Sequence, residues 1–288
     1  MAIKSATISE YSATINKSNS FNLRISPAED EAYSRGILHP VPNRAASFLE
    51  QAKENAVKLL RRPWHKRTVT WDDQEWDTLE YHSRAYDTHS LMISCGTVTM
   101  DRAASADRKV LLIWNRNTRA WQLPKGRKNV HEDFAAAALR ETAEETGIAV
   151  QPLYLRFCTR LTLPERSEEE VALQLRRQSN NLWTDGGMID NGTVNLLNKD
   201  IFCASQYPDP ATGATRHIYW YAARPLKGVT PDLSVLGRED SSTMTAQWFA
   251  AAEAVVRLRM SVERKAVALA VHYAEQMTDE EWRYSLEL

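Results

Sequence analysis

The sequence predicts an α+β sandwich in the central and C-terminal parts of the chain, preceded by a helical extension. Short segments rich in β-branched and aromatic residues occur before and after one helical segment, residues 133–146, which contains neither Gly nor Pro. A further helical region follows near the C-terminus, where alanine, valine and leucine supply apolar surface. Strands on both sides of a central helix, followed by a terminal helix, form a layered α+β fold.

The predicted strands and helices follow in a simple order. Three strands precede the central helix, a fourth leaves it, and two more come before the terminal helices. The strand ranges are 90–100, 109–114, 120–124, 148–161, 216–224 and 244–250, and the terminal helices lie in 251–276. Residues 88–276 are therefore expected to form one domain, with an insertion dense in turn residues at about 164–197 and a tail at 277–288.

The residues before this domain have a different character. Residues 1–40 lack periodicity and are rich in Ser and Asn, which predicts a flexible segment. Residues 41–87 are predicted to be a helical extension. Within them, apolar residues recur at helical spacing in 44–62, a segment bounded by Pro42 and Pro63. We expect this amphipathic helix to dock on the domain.

The composition is that of an ordinary globular protein, with a net charge of −1 and 43% apolar residues. No apolar run approaches the ~20 residues that a membrane-spanning helix needs, so no membrane partner is expected. Cys95, Cys158 and Cys203 lack metal-site spacing, which indicates reduced thiols in an intracellular protein. The expected location is the cytoplasm, with the nucleus and the mitochondrion as alternatives.

Residues 126–148 carry the most specific pattern in the chain, G-x5-E-x7-R-E-x-x-E-E-x-G. Glu132 and Asp133 are expected in the first turn of the helix, where the dipole favours negative charge, and Gly147 is expected at its C-terminal cap. At about 100° per residue, three glutamates fall on one stripe, because residues three and four apart are neighbours on a helix. These glutamates are Glu141, Glu144 and Glu145.

The opposite face of the helix is expected to pack against the sheet through Ala135, Ala136, Leu139, Thr142 and Ala143. The Thr142 hydroxyl is expected to bond to a carbonyl of the preceding turn. On the acidic stripe, three carboxylates within one turn repel each other, and a solvated acidic face is one interpretation. A cation site is the other: oxygen ligands suit Mg²⁺ or Mn²⁺, which would cancel the repulsion and hold substrate phosphates.

The pattern resembles the Nudix box, the signature of hydrolases that cleave a diphosphate linked to another moiety, and every fixed position of the box is filled. The resemblance implies a Nudix-type α/β/α sandwich with a mixed sheet over about residues 88–276. It also implies that the three stripe glutamates bind the metal, together with a backbone carbonyl near Lys125 and Gly126. Glu132 and Arg140 would orient these ligands.

The implied reaction is attack of water on a phosphorus atom, with metal ions bridging the diphosphate oxygens and lowering the pKa of a bound water. The base that takes the proton is Glu144 or Glu145, or a carboxylate from a later loop, for which Glu239 is the candidate. A solvated loop acid is an equally good interpretation of Glu239. One softer box position departs from the family: Thr142 stands where an aliphatic residue is usual, on the packing face of the helix.

Three cations beside the box, Lys125, Arg127 and Lys128, predict a small anionic substrate with several phosphates. The lead-in Pro-Lys-Gly resembles those of diadenosine polyphosphate hydrolases, diphosphoinositol polyphosphate phosphohydrolases and mRNA decapping enzymes. The first two are favoured, because RNA affinity depends on phosphate contacts and only residues 61–67 form a basic cluster that could supply them. Decapping of RNA is one alternative. A catalytically silent Nudix binding module is the other, and it is disfavoured because all box carboxylates are present.

Overall fold

The computed structural model describes residues 42–60, 71–101, 108–159, 161, 188–189, 193–226 and 243–287. Several features singled out in the sequence lie outside the described residues. They are the N-terminal segment 1–40, the basic cluster 61–67, most of the insertion at 164–197, and Glu239.

The described elements alternate as expected for an α+β chain. The helices are α1 (Pro42–Leu60), α2 (Asp73–His82), α3 (Phe134–Thr146), α4 (Ala251–Arg257), α5 (Ser261–Glu275) and α6 (Asp279–Glu287). The strands are β1 (Leu91–Thr99), β2 (Lys109–Asn115), β3 (Ala120–Gln122), β4 (Lys125–Arg127), β5 (Val150–Pro152), β6 (Leu155–Thr159), β7 (Met188–Ile189), β8 (Thr193–Asn198), β9 (Cys203–Pro208), β10 (Thr215–Pro225) and β11 (Met244–Ala250). None of these helices is long and apolar enough to cross a membrane.

The main sheet is mixed and has the strand order β4-β1-β10-β5, with β9 also paired to β10. β1 and β10 run parallel, and Cys95 lies opposite Tyr219 in their register. The other pairs in this sheet are antiparallel, and the pair β1–β4 places Gly96 opposite Lys125. Two further sheets have the orders β11-β2-β3 and β6-β8-β7. The pairing thus brings β4 to the edge of the main sheet, directly before α3.

The main sheet is covered by helices on both faces, as successive residues of β10 show. Side chains alternate between the faces of a strand, so Trp220 and Tyr221 point in opposite directions. Tyr221 packs with Cys95, Ala137 and Ala138 beneath α3. Trp220 belongs to the large core on the other side, together with apolar residues of α5. The predicted α+β sandwich is therefore confirmed, with α3 and α5 as opposite layers.

Helix α1 docks on the C-terminal helices, as its amphipathic pattern predicts. Leu49 and Ala52 enter the main core, while Phe48 packs against Val256 of α4. Lys53 adds an ion pair, with its Nζ 2.7 Å from Glu275 Oε2 at the end of α5. Helix α1 and the terminal helices α4 and α5 thus form one packed layer.

The segment 148–161, expected as a single strand, is divided between two sheets. Pro152 pairs with Ala223 in the main sheet, whereas Leu155 pairs with Asn198 in another sheet. Proline has no N–H to donate, so an uninterrupted ladder through residue 152 is disfavoured. The apolar composition of the segment predicts strand correctly but does not reveal the change of partner.

Two helices form without an amphipathic pattern in their sequences: α2 lies inside the expected helical extension 41–87, and α6 lies outside every predicted helix. Helix α2 has only Glu75 buried among its residues, and its N-cap Asp72 accepts a hydrogen bond from the Glu75 backbone N–H at 3.0 Å. Helix α6 forms within residues expected to be a tail. It is held by the buried Trp282, whose ring lies 4.6 Å from the guanidinium carbon of Arg108. Of its buried residues Glu281, Trp282 and Ser285 only one is apolar, which is too weak a periodic signal to predict such a helix.

Candidate active site

Helix α3 is capped at both ends, by Asp133 and by Gly147. The Asp133 carboxylate accepts hydrogen bonds from the backbone N–H groups of Ala135 and Ala136, at 2.8 and 3.1 Å. Asp133 is therefore the N-cap, and Glu132 precedes the helix. The expectation that both acids lie in the first turn is wrong, because the capping bonds fix the helix start at Phe134. At the other end, Gly147 adopts the predicted left-handed conformation, with φ of 69°.

The buried face of α3 differs from the predicted one. Its members are Ala137, Ala138, Thr142, Glu145 and Thr146, whereas Ala135, Ala136, Leu139 and Ala143 are partly or fully exposed. The prediction placed the apolar residues inside, but the helix instead turns hydroxyl groups and one acid toward β1 and β4. This rotation brings Glu145 against the sheet while Glu141 and Glu144 stay near the surface.

The Thr142 hydroxyl makes the predicted bond to its own helix, at 2.8 Å from the Ala138 carbonyl oxygen. It also lies 2.7 Å from the Thr97 hydroxyl, which in turn lies 2.7 Å from the Thr99 hydroxyl. These three buried hydroxyl groups join α3 to β1 by hydrogen bonds. Thr142 is thus part of the packing between helix and sheet and has no side-chain atom on the acidic stripe.

Arg140 is the centre of the acidic cluster. Its guanidinium donates to both Glu132 oxygens, at 2.6 and 2.9 Å, and to one oxygen each of Glu141 and Glu144, at 2.8 Å. A further bond, of 3.1 Å, reaches the Arg127 carbonyl oxygen. These hydrogen bonds with Glu132 lower the pKa of Glu132 to about 2 and raise that of Arg140. One guanidinium is therefore hydrogen-bonded to three carboxylates, one from the loop and two from α3, and its single positive charge balances only part of their negative charge.

Glu132 also fixes the loop between β4 and α3. Its Oε2 accepts a 2.8 Å hydrogen bond from the Asn129 backbone N–H. Because the same carboxylate holds Arg140, the loop conformation and the position of the guanidinium depend on each other. The structure thus brings together the pair that the box pattern assigns to orienting the ligands.

Glu141 and Glu145 converge on the backbone of β4. The Lys125 backbone N–H donates to Glu145 Oε2 at 2.8 Å, and Glu145 is 7% exposed. A Cβ atom at Gly126 would lie 1.8 Å from Glu141 Oε2, so no side chain fits at this position. Glu144 is the most exposed of the three glutamates, at 37% of its side-chain surface. The carboxylates and the Gly126 main chain therefore share one small region.

The donor chemistry of this region fits a hard divalent cation, since carboxylate and carbonyl oxygens are the preferred ligands of Mg²⁺ and Mn²⁺. The absence of a side chain at Gly126 leaves its backbone accessible to Glu141. In the present conformation, Arg140 bridges Glu141 and Glu144 through its hydrogen bonds. Among the described residues, no three Asp, Glu, His or Cys side chains are arranged closely enough to hold a metal ion.

The three cations beside the box do not act as one group. The Lys125 ammonium points into the protein, 3.4 Å from Gln122 Oε1 and 3.9 Å from Glu263 Oε1, and its side chain is 10% exposed. Arg127 is exposed, and the Lys128 ammonium lies 2.9 Å from the Asn129 carbonyl oxygen. The structure thus separates Lys125 from the other two.

Arg127 and Lys128 line a cleft of about 550 Å³ next to the box loop. Its wall is formed by the start of β1, the box loop and the turn before β10. The lining residues are Thr88, His89, Leu91, Met92, Ile93, Arg127, Lys128, Asn129, Val130, Thr212 and Ala214. A volume of this size matches that of small-molecule sites, which combine apolar walls with a few polar groups.

Glu263 is a buried acid that sequence reasoning missed. It lies in the first turn of α5 with 0% exposure, and burial raises its pKa to about 7 although the nearby Lys125 ammonium opposes that shift. In the sequence it stands beside Arg264 and Lys265, where a solvent-facing helical acid is the ordinary interpretation. Only the folded structure places it next to the box.

Comparisons with known proteins relate this part of the chain to a domain family and to solved structures. Residues 97–181 match the NUDIX domain family. Among solved structures, a Nudix hydrolase from Nitrosomonas europaea is 14% identical, with a TM-score of 0.37 over 63% of this chain and 90% of that one. The C. elegans Ap4A hydrolase is 14% identical, with a TM-score of 0.35 over 64% and 98% of the two chains. A binary complex of a C. elegans Ap4A hydrolase is 17% identical, with a TM-score of 0.36 over 63% and 99%.

TM-scores this low carry no conclusion about activity, so the assignment depends on the domain match. The matched range includes the complete box, from Gly126 to Gly147, and the strands that surround it. This match assigns residues 97–181, and with them the box and the strands around it, to a NUDIX domain.

Proposed function

We propose that the domain hydrolyses a diphosphate linkage in a small polyphosphorylated substrate, with Mg²⁺ or Mn²⁺ as cofactor. The favoured substrates are diadenosine polyphosphates and diphosphoinositol polyphosphates. The observation that carries this proposal is the acidic cluster of Glu132, Glu141, Glu144 and Glu145 around Arg140, beside a glycine that leaves no room for a side chain. Like charges gathered in this way are costly unless cations balance them.

Glu141, Glu144, Glu145 and the main chain at Gly126 would hold the metal. A divalent cation bound there would neutralise charge that develops on the diphosphate and acidify the attacking water. Glu132 would keep Arg140 oriented through its two hydrogen bonds, so that the neighbouring carboxylates stay in place. This division of roles follows the contacts of each side chain.

Glu144 is the better placed of the two box candidates for general base. One Glu145 oxygen accepts a hydrogen bond from Lys125 and the residue is buried, whereas Glu144 has 37% of its side chain exposed to incoming water. A base must come within hydrogen-bond reach of the proton that it removes. Glu239 remains the candidate for a base from a later loop, a prediction that the described residues leave untested.

The cleft beside the box loop would receive the part of the substrate beyond the cleaved bond. Arg127 and Lys128 supply positive charge, which favours phosphate groups. Leu91, Ile93 and Val130 supply apolar surface, and Val130 is 84% exposed. Apolar surface suits a nucleobase and offers little to an inositol polyphosphate, so the cleft favours the diadenosine polyphosphates.

The two alternative functions gain no support from the described residues. For RNA decapping, the basic cluster at 61–67 is followed by α2, whose first turn contains Asp73 and Glu75 and would repel an RNA backbone. A silent binding module would be expected to lack box carboxylates, yet all of them are present and in contact. The hydrolase is therefore the function that the site supports best.

The cytoplasm remains the expected location. Cys95, Cys158 and Cys203 are all free thiols, and Cys158 is exposed. Free thiols, one of them exposed, fit a reducing compartment, where disulfides are rare.

A hydrolysis screen with the full chain tests the proposal. Diadenosine polyphosphates, diphosphoinositol polyphosphates, capped RNA, ADP-ribose and nucleotide sugars are offered in turn, each with Mg²⁺ or Mn²⁺. We expect cleavage of the first two classes, fastest for diadenosine polyphosphates. Cleavage restricted to ADP-ribose and nucleotide sugars would overturn the substrate assignment, and cleavage of capped RNA alone would favour decapping.

A further inference from the structure

Glu263 is a buried carboxylate for which the proposed reaction has no use. It is 0% exposed, and apart from the Leu123 backbone its carboxylate has no hydrogen-bond partner among the residues that the structure describes. Burying an ionisable group without partners is strongly unfavourable, so such a residue calls for a compensating interaction. Among the described residues, the Lys125 ammonium is the cation that pairs with it, 3.9 Å from Glu263 Oε1.

Lys125 is held at both ends by glutamates from different helices. Its backbone N–H donates to Glu145 Oε2 of α3 at 2.8 Å, while its ammonium lies beside Glu263 of α5. Gln122 Oε1, at 3.4 Å, is a second polar neighbour of the ammonium. Lys125 thus spans the sheet, from the proposed metal site on one face to the core on the other.

The space around Lys125 leaves β4 little freedom to move. A Cβ atom at Gly96, the residue paired with Lys125 in β1, would lie 2.7 Å from Lys125 Cβ and 2.6 Å from the Pro124 carbonyl oxygen. The same atom would lie 2.7 Å from the Trp220 ring. Only glycine therefore permits this close approach of the two strands. The Lys125 side chain is confined by this packing to its path toward Glu263.

We propose that Glu263 is a positioning residue that acts through Lys125. By drawing the ammonium into the core, Glu263 fixes the backbone of Lys125 and Gly126 against Glu145 and Glu141. Lys125 then shapes the metal site and does not contact the substrate, a task that falls to Arg127 and Lys128. The inference depends on the proposed function, because it assigns Lys125 and Glu263 to the metal site of that reaction.

The test compares Lys125→Met, Glu263→Gln and the double variant with the native full chain. Two quantities are measured: Mn²⁺ affinity by titration calorimetry without substrate, and kcat and KM for diadenosine tetraphosphate. Each single change is expected to lower Mn²⁺ affinity and kcat by roughly 10–100-fold, the usual effect of removing a partner of metal ligands. KM should stay close to the native value. The Mn²⁺ affinity and kcat of the double variant should be no lower than those of the more impaired single variant, because both changes break the same interaction.

Arg127→Met is the matched control, since Arg127 lies on the same strand but lines the cleft. It is expected to raise KM and leave Mn²⁺ affinity unchanged. If Lys125→Met instead behaves like Arg127→Met, Lys125 is a substrate ligand and the inference is wrong. Additive losses in the double variant would also contradict it, because they would mean that the two residues act independently.

Thermal unfolding of each variant separates positioning from general stability. Mn²⁺ affinity is compared well below each unfolding midpoint, so that only folded protein is titrated. Native Mn²⁺ affinity in a folded but less stable Glu263→Gln would show a merely structural role and overturn the inference. If Glu263→Gln does not fold, Lys125→Met alone decides by the same two measurements.

Failure of this inference can be told apart from failure of the proposed function. The variant Glu145→Gln tests the proposed function, because Glu145 is itself one of the proposed metal ligands. If Glu145→Gln abolishes hydrolysis while Lys125→Met and Glu263→Gln keep native Mn²⁺ affinity, only the positioning role fails. If Glu145→Gln has no effect on either hydrolysis or Mn²⁺ affinity, the metal site has been assigned wrongly and both fail.

Discussion

The Lys125 backbone N–H donates a 2.8 Å hydrogen bond to Glu145 Oε2 and so ties β4 to the buried acid of α3. This bond fixes how the acidic stripe faces the sheet: Glu145 is directed inward, and Glu144 remains accessible. A buried carboxylate that accepts a backbone hydrogen bond is held in one orientation. The relation of strand to helix thus decides which glutamates can be ligands and which can reach water.

Gly126→Ala is predicted to damage the metal site directly. The added Cβ would fall 1.8 Å from Glu141 Oε2, so Glu141 must move away from β4. We expect a loss of Mn²⁺ affinity and kcat of roughly tenfold or more, by analogy with other disturbed ligand shells. Calorimetric Mn²⁺ titration and steady-state kinetics measure both effects.

Gly213→Ala is the control for this substitution. Its φ of +74° makes any side chain strained, but nothing lies within 4 Å of the added atom. It should reduce the free energy of unfolding by about 1–2 kcal/mol and leave Mn²⁺ affinity intact. Equal Mn²⁺ affinities in the Gly126→Ala variant and the native protein would refute the predicted clash.

Arg140→Gln is predicted to make folding depend on divalent cations. The change removes the positive charge that now pairs with Glu132, Glu141 and Glu144. Without metal, the variant should lose about 1–3 kcal/mol of stability, the range for hydrogen bonds to charged groups. Saturating Mn²⁺ should restore part of this loss, because it supplies charge to the same carboxylates. Thermal unfolding with and without Mn²⁺ measures this stabilisation. If Mn²⁺ raised the unfolding temperature equally in the native protein and in the variant, Mn²⁺ and Arg140 would not bind the same carboxylates.

The ionised Glu132 carboxylate is predicted to stabilise the folded protein, and this contribution is predicted to be lost in acid. Arg140 first, and then the Asn129 backbone, hold the pKa of Glu132 at about 2, below its ordinary 4.5. Because the folded pKa is the lower one, the contribution is complete above the ordinary value and is lost as the pH falls toward 2. The difference in unfolding temperature between native protein and Glu132→Gln should therefore shrink over this range. A difference that does not vary with pH would contradict the ion pair.

Thr142→Val is predicted to affect stability and not catalysis. The change removes the hydrogen bonds of Thr142 to Ala138 and Thr97, while Thr97 keeps its contact with Thr99. The expected cost is about 1 kcal/mol, since one buried partner remains satisfied. Chemical denaturation measures this cost, and Mn²⁺ affinity and kcat serve as controls. A drop in Mn²⁺ affinity would mean that the helix packing and the metal site are coupled.

The sequence predicts the local chemistry of this protein well. The box pattern identifies α3, the Gly147 cap, the Thr142 back-bond and the pairing of Glu132 with Arg140, because each depends on residues close together in the chain. Strands β1, β2 and β11 are also predicted, since their segments are rich in β-branched, aromatic and other apolar residues.

Features that depend on tertiary packing are not predicted. A helical wheel cannot show that Glu145 turns inward, because the backbone N–H that donates to its carboxylate belongs to Lys125 in another element, β4. The direction of the Lys125 side chain depends on Glu263, which comes from the far end of the domain. Strand β4 has the composition Lys-Gly-Arg, and only pairing with β1 makes it a strand.

The central claim is that the glutamates around Arg140 form the metal site of a diphosphate hydrolase. The most direct measurement is Mn²⁺-dependent hydrolysis of diadenosine tetraphosphate by the native full chain and by Glu145→Gln, with products separated by chromatography. Asp77→Asn, on the exposed helix α2, is the control carboxylate. We predict hydrolysis by the native protein and by Asp77→Asn, and loss of hydrolysis and of Mn²⁺ affinity in Glu145→Gln. Undiminished Mn²⁺-dependent hydrolysis by Glu145→Gln would contradict the claim.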